Sequence, residues 1–439
     1  MEGEEGKASR MSTVLVLLGS FLVLLLINVP VAFCMSLACV FAFLWKGTIP
    51  VLTLPMKLSS GIDTFPFLAI PLFILAGSLM EHGGISQRLV RFARNLVGHI
   101  KGGLGIVVVI SEVFFSGISG SSIADASAIG SLLLPSMVRA GYTPPRASSI
   151  IAAATGMGIL IPPCLNMVVL GAMANISIAG LFMGGFLPGF LMAITLMVII
   201  YYQSSKGILP GPDQKRARLR EIMVSCKESV IPMMMPIIIF GGIFGGVFTA
   251  TEAASVATVY AFIISVFVYK EVKRKDIYRI VVETAVMTGV VCLLVGAATC
   301  FSWILATHQV PRMLGEFIGS VSGGNIVFLL LSIAVFFIFG ALLDGLPALL
   351  IFFPILYPIA QSIGLHPYHY GVLVIAVIGV SVVVPPIGLC LVIICSLAKI
   401  KLTDTIRPLM PYITILIIDL IVIAFWPWLV VFLPNLFKL

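Results

Sequence analysis

The stretch Gly103–Pro135 reads GLGIVVVISEVFFSGISGSSIADASAIGSLLLP. Two apolar arms flank a polar, glycine-rich tip, Gly117-Ile-Ser-Gly-Ser-Ser122. The arms do not alternate with period two, so they are helices and not barrel strands. The tip is too polar to face lipid as regular helix. Irregular backbone is tolerated at membrane depth only where protein or a water-filled cavity covers it. The stretch therefore predicts a re-entrant hairpin, with two ordinary helices joined at a surface loop as the alternative. A polar turn, Arg139–Arg146, follows. Beyond it an apolar helix is interrupted at Thr155-Gly-Met-Gly158 and Ile161-Pro-Pro163.

The same order of features returns in the second half. Gly324–Pro358 carries a polar tip at Asp344-Gly-Leu-Pro347, a turn follows at Gly364–His369, and the next apolar run breaks at Gly379-Val-Ser381 and Val384-Pro-Pro386. From Gly120 to Pro162 is 42 residues, and from Gly345 to Pro385 is 40. This is an internal repeat on the scale of half the chain. Basic residues orient it. Clusters at Arg88–Lys101, at Lys206–Lys227 including Lys215, at Lys270–Arg279 and at Lys399–Arg407 belong on the cytoplasmic side. Counting crossings between them makes the two hairpins enter from opposite faces, the arrangement of inverted-repeat secondary transporters.

Composition agrees. Of 439 residues, 60% are hydrophobic and 10% charged, with a net charge of +8. So few charges cannot solvate a globule of this size, which excludes a soluble enzyme, a disordered chain and a nucleic-acid-binding domain. Apolar runs such as Met11–Trp45, Ile178–Tyr202 and Leu409–Leu433 are each long enough to cross a bilayer. The fold class is therefore all-α and polytopic. The chain divides into a polar tail (1–10), N-terminal scaffold helices (11–100), a first transport repeat (101–203), a basic loop with central scaffold helices and a linking segment (204–322), a second, inverted repeat (323–400) and a C-terminal helix (401–439). The eight cysteines show no metal-site spacing and read as small core residues.

Gly117-Ile-Ser-Gly-Ser-Ser-Ile-Ala-Asp-Ala-Ser-Ala-Ile-Gly130, Gly158-Ile-Leu-Ile-Pro-Pro163 and Phe248-Thr-Ala-Thr-Glu-Ala-Ala254 resemble the large membrane subunit of tripartite ATP-independent periplasmic (TRAP) transporters of the dicarboxylate type. Ile70–Gly77 and Val97–Gly103 look like that family as well. The resemblance implies an elevator-type carrier in the bacterial inner membrane, with Na⁺ as coupling ion and no other cofactor. It also implies a small carboxylate substrate, a periplasmic binding protein that delivers it and a small four-helix membrane subunit. One departure stands out. Val377, Gly379, Ser381 and Val384 occupy positions where the family's second broken helix carries Asn, Glu, Gly and Thr. A second Na⁺ site would then lean on backbone carbonyls and Ser381.

Na⁺ needs several oxygen ligands, which hydroxyls and unwound carbonyls of broken helices supply. The first expected ion site comprises Ser119, Gly120, Ser121, Ser122, Thr155, Gly156 and Gly158. The second comprises Asp344, Gly345, Gly379, Val380 and Ser381. For both, small-residue helix packing is the competing reading. A substrate carboxylate suits the positive ends of the half-helices, with Ser122, Pro163, Asn166, Leu346 and Pro386 around it. Acidic residues within apolar stretches are functional candidates. Asp344 reads as a cation ligand or helix cap, Asp125 as a cation ligand or a dipole or hydrogen-bonding partner, and Glu252 as half of a capping box with Thr249. Glu112 and Asp419 receive no role.

Two other function classes compete. An ion channel shares the apolar frame. A rhomboid-like intramembrane protease would use Ser119 of Gly117-Ile-Ser-Gly120, but needs a membrane-embedded histidine, and all five histidines fall in or beside polar breaks. ATP-driven pumping lacks its phosphate-binding loop.

Overall fold

The structure, a computed structural model, describes residues 2–119, 121–212, 216–319, 324–385 and 387–437. Gly120, Lys215 and Pro386, named above, lie outside them. Eight helical stretches among the described residues are long and apolar enough to cross a membrane.

The polar N-terminus is not separate from the first apolar run, because one helix, α1, runs Glu2–Leu26. The run Met11–Trp45, long enough to cross a bilayer, folds as a helical hairpin. Asn28 adopts a left-handed conformation (φ 61°) and Pro30 precedes α2 (Val31–Lys46), which packs back on α1. Proline removes a backbone donor and pushes the residue before it out of the helical region, so an apolar run alone does not guarantee one helix. The short α3 (Thr53–Ile62) leads to α4 (Ala69–His82) and the amphipathic α5 (Ile85–Val97).

The first repeat is α6 (Gly103–Ser119) and α7 (Ser122–Arg139), then α8 (Pro144–Gly158), a break, and α9 (Leu165–Ala174). The long α10 (Ile178–Ser205) follows. Next come α11 (Leu219–Phe244), α12 (Ala250–Ile263, with a widened turn to Val268), the 34-residue α13 (Arg274–Thr307) and the short α14 (Val310–Gly319). The second repeat is α15 (Gly324–Leu343) and α16 (Gly345–Ser362), then α17 (Pro367–Ser381), a break, and α18 (Leu389–Ala398). The chain ends with α19 (Leu402–Phe425) and α20 (Trp428–Leu436).

Packing obeys a pseudo-two-fold exchange between the repeats. The returning arm of each hairpin lies against the second half of the other repeat's broken helix, α7 on α18 and α16 on α9. The helix after each break lies on the first half of the other broken helix, α10 on α17 and α19 on α8. The centre is formed by α8 and α17. Every residue from Ala147 to Gly158 and from His369 to Ser381 is buried, as in a helix enclosed on all sides.

These two helices cross backbone to backbone. A methyl group at Gly156 would lie 2.6 Å from the carbonyl oxygen of Gly379, and one at Gly379 would strike the carbonyl of Gly156. Small residues permit such close approach.

Contacts also sort the loops by face. Arg88 pairs with Glu271 at 2.7 Å and covers the ring of Tyr269, Arg91 pairs with Glu228 at 3.0 Å, and Arg146 donates to the carbonyl of Ile208 at 2.6 Å. Ser149 on α8 reaches the carbonyl of Thr405 on α19 at 3.4 Å, near Lys399 and Lys401. The four basic clusters thus share one face. At the opposite end, His369 binds the carbonyl of Ile423 at 2.8 Å, and Trp426 stacks on Trp428. Tryptophans at such a position mark a membrane–water boundary.

Candidate functional site

Both hairpin tips open on one cavity of about 290 Å³. Its polar lining is Ser121, Ser122, Asn166 and Asp344, set among Ile159, Leu165, Gly345, Leu346, Pro347 and Val382, with Pro30 and the first residues of α2 and with Met287, Val290, Val291 and Leu294 of α13 opposite. The wall therefore combines both repeats with helices outside them.

The tips are built alike. Ser121 caps α7, its hydroxyl accepting from Ala124 N at 3.5 Å. Asp344 caps α16, one carboxylate oxygen accepting from Gly345 N at 2.6 Å, with its own backbone at φ 76°. Left-handed backbone is strained for a non-glycine residue. Here the cap and burial at the tip hold it. Leu165 and Asn166 start α9 and Ser122 is hydrogen-bonded to the thiol of Cys390, which starts α18. Half-helix N-termini from both repeats consequently point toward the same space, each with a partial positive charge.

Each hairpin meets its own broken helix, as the repeat pattern predicts. Ser116 donates to the carbonyl of Gly158 at 2.6 Å, and a methyl at Gly117 would touch the Pro162 carbonyl at 3.0 Å. Gly340 lies against the hydroxyl of Ser381, and Gly345 against Ile378 with the Asn166 amide 3.6 Å from where its methyl would be.

Apart from Ser119, Gly120 and Pro386, the expected site residues divide into three groups. Ser121, Ser122, Asn166, Asp344, Gly345 and Leu346 line the cavity. Pro163 lines a second cavity that shares Ser121, Leu165 and Met287 with the first and extends to Glu81 and Glu283, beside His82 and Arg279 on the basic face. Thr155, Gly156, Gly158, Gly379, Val380 and Ser381 are buried in the helix crossing and line neither cavity.

Within the crossing, the Thr155 hydroxyl donates to Ile151 O at 2.9 Å and that of Ser381 to Ile378 O at 2.7 Å, leaving oxygen lone pairs available. The Gly158 carbonyl already accepts from Ser116 and from Ile161 N, so both its lone pairs are engaged. Gly156 and Gly379 serve the close approach of α8 and α17. Ser119 ends α6 and Gly120 and Pro386 lie outside the described residues.

The remaining acidic residues also find places. Glu252 closes the capping box with Thr249, accepting from its N–H at 2.8 Å while Thr249 accepts from Glu252 N at 3.3 Å. Asp419 accepts from Thr195 at 2.6 Å, joining α19 to α10. Glu112, to which the sequence assigns no role, is fully buried beside Asp125. The sequence signal for it was an acidic residue inside an apolar arm. The ring of His369 faces the carbonyl of Ile423 on α19.

The chain matches the family model described as tripartite ATP-independent periplasmic transporter, DctM component, over residues 18–429. It is 36% identical over 415 residues to the sialic acid TRAP transporter large permease protein SiaM of Vibrio cholerae, covering 94% of this chain and 96% of that one. It is 34% identical over 419 residues to the 2,3-diketo-L-gulonate TRAP transporter large permease protein YiaN of Escherichia coli, covering 95% and 98%. It is also 34% identical over 385 residues to the C4-dicarboxylate TRAP transporter large permease protein DctM of Pseudomonas aeruginosa, covering 88% and 90%. Among solved structures it resembles the YdaH transporter of Alcanivorax borkumensis, with a TM-score of 0.65 at 14% identity over 85% of this chain and 87% of that one, a likeness of fold.

Proposed function

Because the chain belongs to the DctM component family of tripartite ATP-independent periplasmic transporters, and so is a transport component and not an enzyme, we propose that it carries a small organic acid inward across the bacterial inner membrane in exchange for the free energy of Na⁺ entry. A periplasmic binding protein delivers the acid. A small four-helix membrane subunit sits against the scaffold formed by α1, α2, α11 and α12.

The observation that carries this reading is the single cavity shared by both hairpin tips. Among its described lining residues there is no Lys or Arg. A carboxylate there is held by helix N-termini, by the hydroxyls of Ser121 and Ser122 and by the Asn166 amide. The same cavity presents the carboxylate of Asp344, which repels an anion unless a cation lies between them. That pairing of an anion site with an acidic neighbour supports cation-coupled binding. Ser121, Ser122 and the helix-end oxygens near Thr155 supply hard oxygen ligands at the first tip. At the second, Asp344 has one carboxylate oxygen beyond its cap bond, and Ser381 and the carbonyls near Val380 and Gly379 stand where side-chain donors are sparse. The extension of the cavity toward Glu81 and Glu283 is the route to the cytoplasmic face.

Alternation follows by moving the tips and their broken helices as a body against the scaffold, an elevator motion. The test is uptake by proteoliposomes containing the chain, with the small subunit and candidate binding proteins, against a panel of sialic, sugar and C4-dicarboxylic acids. Saturable uptake of one acid that requires its binding protein supports the proposal. No carboxylate uptake with any partner would contradict it.

A further inference from the structure

The helix α13 lines both cavities along one face. Met287, Val290, Val291 and Leu294 border the first, and Glu283 and Met287 border the second, at the spacing of a single helix side. Glu283 stands one turn, about 6 Å, from Met287 toward the basic end where α13 begins. On the facing wall, Phe73, Gly77 and Glu81 of α4 follow one another a turn apart, with Glu81 nearest that same end. Ser121, Leu165 and Met287 belong to both cavities. The two spaces thus adjoin lengthwise, each of about 290 Å³.

Their ends differ chemically. The tip end offers helix N-termini, the hydroxyls of Ser121 and Ser122 and the Asn166 amide, which suit a carboxylate. The other end accepts hydrogen bonds. Beyond Ser121 its polar lining is the Ser78 hydroxyl and the carboxylates of Glu81 and Glu283. Glu283 is engaged by Arg279 at 2.7 Å. Among the described residues no Lys or Arg lies within ion-pair distance of Glu81. The neighbouring His82 donates from Nδ1 to the Ser78 carbonyl at 2.9 Å, and neither His82 nor Arg279 lines the cavity. An acid seated with its carboxylate at the tips lays its far end against Glu81. A hydroxyl there donates to a carboxylate, a charge-assisted bond. A second carboxylate there would meet a like charge and lose its hydration as well. Asp344 differs, because the cation proposed above lies between it and the bound anion.

We propose that the joined cavities select an acid with a single carboxylate, held at the tips, and a hydroxylated far end without negative charge, received by Glu81. The inference rests on the transport reading given above and narrows its substrate class to polyhydroxylated monocarboxylates, in preference to dicarboxylates of the same length. Glu81 is then a specificity-determining residue, and Glu283, already paired, supports it from the opposite wall.

The test is calorimetric binding to the purified full chain in saturating Na⁺, with matched pairs of acids: glycerate and tartronate, threonate and tartrate, gluconate and glucarate. Within each pair only the far end differs, a CH₂OH group against a carboxylate. In the pair that binds best, the monocarboxylate should bind the wild type roughly tenfold or more tighter than its partner. In Glu81→Gln that ratio should shrink toward one, chiefly because the dicarboxylate binds more tightly. A residue of merely structural importance would weaken both members alike and leave the ratio unchanged, which would overturn the proposal. Equal binding within the pairs by the wild type, or tighter binding of the dicarboxylates, would overturn it too, while leaving the cavity an acid site. If the variant does not insert, the wild-type ratio alone decides. If no acid of the three pairs binds, the reading of the cavity as a substrate site falls, and the proposal with it.

Discussion

At Gly379 the added methyl of alanine would strike the Gly156 carbonyl and Ile159, and neither helix can retreat because both are enclosed on all sides. Overpacking of this kind costs about 1–3 kcal/mol, so Gly379→Ala should lower the unfolding temperature of the purified protein and its level in the membrane. Gly289→Ala, on α13 with nothing within 4 Å of the new methyl, should leave both unchanged. The acidic residues separate in the same way. Asparagine caps helices as well as aspartate, so Asp344→Asn should insert normally yet reduce uptake by roughly tenfold, about 1.4 kcal/mol, because the charge facing the cavity is gone. Asp419→Asn keeps its bond to Thr195 and should transport near normally; the comparison is made at matched membrane levels. Ser121→Ala removes one oxygen from the first tip and should raise the Na⁺ concentration for half-maximal uptake by roughly two- to tenfold, the worth of one hydrogen-bonding group. Unchanged Na⁺ dependence would reduce Ser121 to a helix cap. The tip residues that line the cavity were legible in the sequence because polar groups within an apolar run are costly unless a cavity or a partner receives them. The close contact of Gly156 with Gly379 was not, since a glycine that frees a carbonyl and a glycine that lets two helices touch have the same spelling. Glu112 was visible as a costly residue, but its neighbour across the hairpin becomes apparent only once the arms are folded together.

The helical hairpins and broken helices were readable because polar tips and Pro-Pro breaks interrupt otherwise continuous apolar runs. Arm length would not have settled the second hairpin. At 20 residues, α15 is about 30 Å long and could span a bilayer, yet its end at Leu343 leads into a tip that lines the same cavity as the first. The break between α1 and α2 was harder to read, because a single Asn and Pro within a long apolar stretch are compatible with a kinked span. The basic loops gave the faces, and the pairings of Arg88, Arg91 and Arg146 bring those loops to one side. Single-cysteine labelling in intact cells should therefore find Lys206→Cys protected from an impermeant reagent and Gly364→Cys reactive. Labelling of Lys206→Cys from outside would overturn the inverted arrangement of the repeats.

On the scale of the whole molecule, two halves exchange their parts. Each returning arm rests on the other repeat's broken helix, and α8 and α17 cross at the centre. This interleaving makes tips and broken helices one body, while α2 and α13 supply the facing wall of the cavity. On the elevator motion proposed above, a body held by its own crossing shifts against such a wall without losing its core and carries the tip residues of the cavity with it. The composition announced a membrane protein and the repeat announced a carrier. Substrate identity was not legible, because backbone N–H groups and a few hydroxyls recognise any small carboxylate.

The most direct measurement is accumulation of the transported acid in proteoliposomes bearing the complete complex, with pH equal on both sides and membrane potential clamped at zero, while an inward Na⁺ gradient is imposed and then abolished. Coupled transport predicts a transient internal concentration above the external one only while the gradient lasts. Rise merely to the external concentration, with or without Na⁺, would contradict coupling and describe a passive path instead.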